Sequence, residues 1–141
     1  MTDFARVTPD FSVAAQISAA DIAAAAAGGV KTIICNRPDG ESPDQLAAAD
    51  ARAAAEAAGL VFVHIPIAGM PPPREAGAAM ARALAETAGP HLAYCRSGTR
   101  SITAWAMAQA QGGAPADDVI AKAGAAGYDL RPHRGAIAPS S

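Results

Sequence analysis

The fold class is decided by the segment His91-Leu92-Ala93-Tyr94-Cys95-Arg96-Ser97-Gly98-Thr99-Arg100-Ser101. Its first half is an apolar strand that ends at Cys95. A short loop follows, and a helix is predicted over Ser101–Gln111. A passage from a buried strand through a tight loop into a helix is typical of parallel α/β sheets. In such sheets the ligand site lies outside the carboxyl ends of the strands, so this loop is the first place to look for chemistry.

The same alternation extends on both sides of this segment. The pattern predicts strands at Phe4–Val7, Phe11–Val13, Val30–Cys35 and Leu60–Ile67. It predicts helices from a Ser18 cap to Gly28, from Ser42-Pro43 to Gly59, over Pro73–Ala88, and from Pro115 to about Gly127, with an irregular tail from Arg131. Short connections between strands and helices favour a sheet covered on both faces. We therefore predict a single α/β domain over residues 1–141: a small, mainly parallel sheet of four to five strands flanked by helices.

Composition limits the functional classes. The chain has 141 residues, of which 51% are hydrophobic and 17% charged, as expected for one globular domain rather than a disordered chain. A net charge of −2 gives no basic footprint, so neither a nucleic acid nor a membrane is predicted as a partner. The N-terminus lacks the features of a signal peptide, and a cytoplasmic location is expected. Two cysteines are too few for a disulfide scaffold and have no metal-ligand spacing, so no metal site and no cofactor are predicted.

The loop that starts at Cys95 has the residues of a reactive anion site. Backbone N–H groups at a helix start, together with the helix dipole, favour the thiolate form of a cysteine placed there. Gly98 lets the chain curl, and Arg100 offers a planar fork of donors to an oxyanion above the sulfur. Ser101 is expected to donate its hydroxyl to that sulfur. The residues predicted to bind the anion are Arg96, Ser97, Gly98 and Thr99, which we call the anion cradle. The side chains of Arg96 and Ser97 are expected to point outward, while their backbone amides point towards the anion. Cys35, by contrast, is predicted to be a small core hydrophobe.

Arg37 and Asp39 follow the strand that ends at Cys35, and so should lie in the same crevice. They are candidates for binding an anion. The alternative is an ordinary turn at Pro38-Asp39-Gly40, in which the arginine and the aspartate brace the loop. Both interpretations stay open. His64 lies in a continuous apolar strand and is predicted to be a hydrogen-bonded histidine in or near the core rather than a proton carrier.

The residues quoted above resemble two known families. The stretch Tyr94–Ser101 resembles the active loop of rhodanese sulfurtransferases. The surrounding chain resembles the bacterial beta-lactamase hydrolase-like family, whose domain is described as phosphatase-like. The matching pieces are Thr8–Val13, Gln16–Ser18, Thr32–Ile34, Asn36–Asp39, His64–Pro66 and Gly127–Leu130. The resemblance implies the fold of cysteine-dependent dual-specificity phosphatases, a protein tyrosine phosphatase-like fold. The family name also suggests a sulfide-metabolism or metallo-hydrolase partner.

Two departures from the phosphatase pattern bear on the reaction. Tyrosine-phosphatase-like enzymes have one residue more between the cysteine and the arginine than the four found here. Those enzymes also place an acidic residue after the strand that corresponds to Leu60–Ile67, where this chain has Ala68-Gly69-Met70 and three prolines. Asp39 or Glu41 could replace that acid only if the first loop folds over the site.

Both departures favour sulfur transfer through a Cys95 persulfide on a small anionic donor. The shorter ring of donors suits a sulfane sulfur better than a phosphoryl group with three equatorial oxygens, and a sulfur donor with a stable leaving group needs no acid. The alternative is phosphomonoester hydrolysis through a phosphocysteine on the same loop, with Asp39 as a makeshift acid. A third hypothesis is a non-catalytic module that senses an anion.

Overall fold

The computed structural model describes residues 2–139 and contains one five-stranded sheet. The strands are β1 (Phe4–Thr8), β2 (Phe11–Ala14), β3 (Thr32–Cys35), β4 (Val61–His64) and β5 (His91–Tyr94). The helices are α1 (Ala19–Ala27), α2 (Ala48–Ala57), α3 (Arg74–Glu86), α4 (Thr99–Gln111), α5 (Ala116–Ala125) and, after a 3-10 turn over Arg131–His133, α6 (Arg134–Ile137).

The sheet has the order β1-β2-β5-β3-β4. β1 pairs antiparallel with β2, while β2, β5, β3 and β4 run parallel. The predicted α/β class with a mainly parallel sheet is therefore confirmed. The register aligns Ala14, Tyr94, Cys35 and His64 as one row across the parallel strands. This row marks the carboxyl edge of the sheet, and Cys95 follows it directly.

Helices cover the two faces of the sheet with two separate apolar clusters. One cluster contains Trp105 and Met107 of α4, both 2% exposed, and the Trp105 ring stacks on Phe11 with the ring centroids 5.7 Å apart. The other includes Ile22, Ile33 and the 2% exposed Cys35, so the prediction of Cys35 as a core residue is confirmed. Gly77 allows α3 to pack closely on α4, because a Cβ at this position would lie 2.8 Å from the Met107 Cβ.

Helix boundaries differ from the sequence prediction in three places. The capping box of Ser18 and Asp21 starts α1 as predicted. However, α2 begins at Ala48 and not at Ser42-Pro43, because the Asp39 carboxylate accepts the Ala48 N–H at 2.8 Å and fixes the helix start there. α4 begins two residues early, at Thr99. The tail from Arg131 is not irregular: it forms the 3-10 turn and α6, which buries Ile137.

Within residues 2–139 no helix combines the length and the apolarity that a membrane crossing requires.

Candidate active site

Cys95 lies at the bottom of a loop between β5 and α4. The residue is fully buried, and its Sγ accepts a hydrogen bond from the Gly98 N–H at 3.1 Å. Gly98 adopts a φ of +94°, in the left-handed region that favours glycine. The loop thus turns back on itself and directs a backbone donor at the sulfur. This arrangement stabilises negative charge on Sγ.

The first turn of α4 adds further donors at the same place. The first helical hydrogen bond runs from the Ile102 N–H to the Gly98 carbonyl at 3.0 Å. The N–H groups of Thr99, Arg100 and Ser101 therefore have no acceptor within the helix, and that of Thr99 makes a long hydrogen bond of 3.4 Å to the Ser97 hydroxyl. Because these groups carry the positive end of the helix dipole, the loop is suited to bind an anion.

Arg100 is held by a bidentate ion pair and a carbonyl. Its Nη1 and Nη2 donate to the two carboxylate oxygens of Glu41, both at 2.8 Å, and Nη1 also donates to the Ile67 carbonyl at 2.7 Å. The hydrogen bonds with Glu41 raise the pKa of Arg100. These contacts leave the Nε–H and one Nη2–H for a bound oxyanion, which is the fork geometry that suits phosphate or carboxylate.

The Glu41 carboxylate accepts hydrogen bonds from both Arg37 and Arg100, the two arginines that the sequence predicts at the site. Arg37 is 3% exposed, and it donates through Nε to Glu41 at 2.9 Å and through Nη1 to the Gln16 side chain at 3.0 Å. The hydrogen bonds from Arg100, more than those from Arg37, lower the pKa of Glu41 to about 2. Arg37 therefore braces the site behind Glu41 in this structure and does not line the cradle. The Arg37–Asp39 pair of the alternative interpretation does not form, because Arg37 pairs with Glu41 and Asp39 accepts the Ala48 N–H.

Asp39 has a structural position. Its carboxylate accepts the Ala48 N–H at the start of α2, so it is not placed as the makeshift acid that the phosphatase alternative invoked. Glu41 does reach the site, but an ionised carboxylate with a pKa of about 2 is a poor proton donor near neutral pH.

The remaining candidate residues surround the loop. Arg96 and Ser97 are exposed, as predicted for outward side chains. The Ser97 hydroxyl donates to the Thr99 hydroxyl at 3.0 Å. The Ser101 hydroxyl is buried and makes no hydrogen bond with the described residues, so the expected bond to the sulfur is not formed here. His64 approaches the Arg37 carbonyl at 3.2 Å through Nε2, as predicted for a hydrogen-bonded histidine.

Two further residues, Gln16 and Tyr128, hold the loop through its carbonyl groups, and the sequence did not predict their roles. The Gln16 N–H donates to the Arg96 carbonyl at 3.3 Å, and the Tyr128 hydroxyl donates to the Ser97 carbonyl at 3.0 Å. Both lie in segments of the sequence that resemble the beta-lactamase hydrolase-like family. The only local signal for Tyr128 is the preceding Gly127, whose φ of +100° ends α5 and reverses the chain.

A separate cavity of about 410 Å³ lies at the opposite edge of the sheet, where β2 and β5 begin. Phe11, His91 and Trp105 are among its lining residues, and none of the loop residues lines it. Burial lowers the pKa of His91, whose Nε2 lies 2.9 Å from the Thr87 hydroxyl. Within residues 2–139 no three His, Cys, Asp or Glu residues are grouped so as to hold a metal ion.

Comparison with known proteins identifies the family. Residues 3–112 match the model of the phosphatase-like domain of beta-lactamase hydrolase-like proteins. The beta-lactamase hydrolase-like protein of Agrobacterium fabrum is 38% identical over 109 residues, which is 77% of this chain and 25% of the relative. The chain thus spans about a quarter of the length of the curated relatives that it matches.

Solved structures support the same assignment. A candidate phosphatase of Neisseria meningitidis Z2491 superposes with a TM-score of 0.83 at 33% identity, covering 94% of both chains. Tk-PTP in its active form has a TM-score of 0.72 at 15% identity, covering 95% of this chain and 92% of the other, and shows the fold alone.

The comparisons bear on the two reactions considered for Cys95. They favour the phosphatase alternative over the main prediction of sulfur transfer, which is not confirmed. The fold around the loop is that of the protein tyrosine phosphatase-like cysteine phosphatases, as predicted. The chain belongs to the family of beta-lactamase hydrolase-like proteins, as their phosphatase-like domain, and it is a cysteine-dependent phosphatase-like enzyme.

Proposed function

We propose that the chain hydrolyses phosphate monoesters through a phosphocysteine on Cys95. One observation carries the proposal: the buried Cys95 Sγ lies under a loop that directs the Gly98 N–H at it, beside an Arg100 that keeps a free fork of donors. A phosphoryl group has oxygens that need several donors at once, and a helix start beside an arginine supplies them.

The reaction would proceed in two displacements. The Cys95 thiolate attacks phosphorus, the bond from phosphorus to the ester oxygen breaks, and the leaving group departs with its electron pair and takes up a proton. Water then attacks the phosphocysteine, which releases inorganic phosphate and restores the thiolate. Arg100 binds the non-bridging oxygens in both steps and stabilises the charge that develops on them.

The state of the nearby carboxyl groups bears on the substrate class. Asp39 caps α2, and Glu41 is ionised between two arginines. A leaving group that needs protonation would therefore depart slowly, since general acid catalysis commonly contributes about 10²–10⁴-fold. We infer that the preferred substrates are esters of acidic alcohols, of which aryl phosphates are the simplest class.

Hydrolysis of p-nitrophenyl phosphate tests the proposal. The wild type should release phosphate, and an acid quench followed by intact-protein mass spectrometry should show a phosphoryl group on Cys95. Cys95→Ser should abolish both signals, and Arg100→Lys should weaken turnover because lysine lacks the planar fork. Cys35→Ser is the matched control: Cys35 is buried and makes its hydrogen bond to the Arg37 carbonyl, not to the loop. Absence of hydrolysis in the wild type would overturn the proposal.

Sulfur transfer is the second candidate, because Arg100 follows Cys95 at the spacing of the rhodanese loop. In that reaction the Cys95 thiolate attacks the outer sulfur of thiosulfate, the sulfur–sulfur bond of the donor breaks, and sulfite leaves with its electron pair, so that Cys95 carries a persulfide. An acceptor thiolate or cyanide then bonds to the outer sulfur, and the Cys95 thiolate is restored. Incubation with thiosulfate followed by intact-mass measurement separates the two candidates. A gain of one sulfur atom that cyanide removes, absent in Cys95→Ser, would favour sulfur transfer, and no gain would exclude it. A metallo-hydrolase or sulfide-metabolism partner and a cytoplasmic location stay proposals.

A further inference from the structure

Tyr128 reaches the cysteine loop from the end of α5. The Gly127 N–H bonds to the Gly124 carbonyl at 3.0 Å and the Tyr128 N–H to the Ala123 carbonyl at 2.9 Å. With Gly127 at a positive φ, these two bonds form a Schellman motif, which reverses the chain after the helix. The fully buried Leu130 then anchors the segment in the core. Tyr128 is thus held in place by backbone geometry and by core packing.

The Tyr128 hydroxyl acts on the peptide unit that contacts the nucleophile. It donates to the Ser97 carbonyl at 3.0 Å, and the N–H of the same peptide group, that of Gly98, donates to Cys95 Sγ at 3.1 Å. The carbonyl and the N–H of a trans peptide point in opposite directions. Fixing the carbonyl on Tyr128 therefore keeps the N–H directed at the sulfur.

Tyr128 packs so closely against Gly98 that no side chain fits at position 98. A Cβ at Gly98 would overlap the Tyr128 hydroxyl and lie 2.9 Å from its Cζ, so the ring packs where only glycine leaves room. Burial, and secondarily the charge of Cys95, raise the pKa of Tyr128 above its usual value. The hydroxyl consequently stays protonated at neutral pH and remains a donor to the Ser97 carbonyl.

We propose that Tyr128 is a positioning residue, which holds the Ser97–Gly98 peptide with its N–H on Cys95 and thereby sustains the reactivity of the thiolate. Tyr128 lies beyond residues 3–112, the part of the chain that the family model covers. The inference concerns the thiolate itself, so it stands or fails separately from the choice between phosphoryl and sulfur transfer.

Alkylation of Cys95 by iodoacetamide in the full chain tests this role without any substrate. Tyr128→Phe removes the hydroxyl and keeps the ring. We expect the alkylation of Tyr128→Phe near neutral pH to be about three- to tenfold slower than that of the wild type. This factor corresponds to the free energy of one neutral hydrogen bond. The titratable groups that face Cys95 are Arg100 from α4, Tyr128 after α5 and Cys35 from β3. Because Arg100 and Cys35 are the same in both proteins, the two rates should converge at alkaline pH, where the thiolate is fully formed.

Tyr94→Phe is the matched control, since it also removes a phenol hydroxyl, one residue from Cys95. That hydroxyl is buried, makes no hydrogen bond to the loop, and has the Cys35 thiol as a neighbour. The Tyr94→Phe variant should be alkylated at the wild-type rate over the whole pH range. If Tyr128→Phe matches the wild type, reacts faster, or is slower by the same factor at every pH, the positioning role is wrong. Thermal unfolding of both variants should stay near that of the wild type, and a large loss confined to Tyr128→Phe would mean that the residue only supports the fold.

Discussion

Replacing Glu41 by glutamine tests whether one carboxylate organises both arginines of the site. The variant keeps the size of the side chain and removes its charge, so Arg37 and Arg100 lose their shared anionic partner. The arginine side chains are 4% and 12% exposed, and that of Glu41 is 25% exposed. The loss in the free energy of unfolding should therefore lie between two limits. Loss of an exposed ion pair costs about 0–1 kcal/mol, and removal of one partner from a buried ion pair costs about 3–5 kcal/mol. We expect the free energy of unfolding to fall by about 2 kcal/mol at neutral pH.

The pH dependence of this loss follows from the sign of the pKa shift. Hydrogen bonds from Arg100 lower the pKa of Glu41 from 4.5 to about 2 in the folded chain. A depressed carboxyl pKa stabilises the fold wherever the unfolded chain is also ionised, so the wild type has its full advantage above pH 4.5. That advantage disappears as the pH falls towards about 2. Taken alone the shift is worth about 3 kcal/mol, and solvent screening at a partly exposed carboxylate reduces it to about 2 kcal/mol.

Urea unfolding of the wild type and of Glu41→Gln, from neutral pH down to about pH 3, measures the difference. Asp129→Asn is the control, because Arg131 also lowers the pKa of Asp129 to about 2, but that ion pair is fully exposed. The control should show no measurable loss at any pH. A Glu41→Gln deficit that stays constant as the pH falls, or an equal deficit in Asp129→Asn, would refute the electrostatic argument.

The other variants probe the loop and the helix that follows Asp39. Gly98→Ala forces an alanine to a φ of +94° against Tyr128. We expect the free energy of unfolding in urea to fall by at least about 1–2 kcal/mol and the alkylation of Cys95 to be much slower. Wild-type values of both quantities would show that the loop adapts. Asp39→Ala removes the cap of α2, and it should cost about 1 kcal/mol in thermal unfolding while leaving the relative rates of aryl and alkyl phosphate hydrolysis unchanged. A selective loss of alkyl phosphate hydrolysis in Asp39→Ala would instead identify Asp39 as a general acid.

The sheet could be predicted from the sequence because its signals are local. Each parallel strand is a short run of β-branched or apolar residues between turn residues, and such runs have few alternatives. The start of α2 could not be predicted in the same way. Ser42-Pro43 is a good local start signal, but the Asp39 carboxylate caps Ala48 instead. A hydrogen bond between residues 39 and 48 depends on how the intervening loop folds, which the local pattern does not encode.

The candidate site, like the fold, could be predicted only where its residues are close together in the sequence. Cys95 and Arg100 belong to one short string at a strand end, so their proximity follows from the local fold. Glu41 is 59 positions from Arg100 in sequence, and its place became visible only once the sheet order set β3 beside β5. From the sequence, Glu41 is a candidate only as a substitute acid, since a carboxylate near an active loop suggests proton transfer. Its two arginine partners change that interpretation, because they keep it ionised.

Three distant segments hold the loop around Cys95, and each fixes a different atom. Gln16, after β2, binds the Arg96 carbonyl; Tyr128, after α5, binds the Ser97 carbonyl; and Glu41, after β3, holds the Arg100 guanidinium. The loop string alone is therefore insufficient for a preorganised anion site, since its donors would lack fixed directions. The segment beyond residue 112 supplies one of the three contacts and also part of the larger apolar cluster. The unit that carries the chemistry thus extends past residues 3–112, which the family model matches, into the helices that close the fold over the sheet.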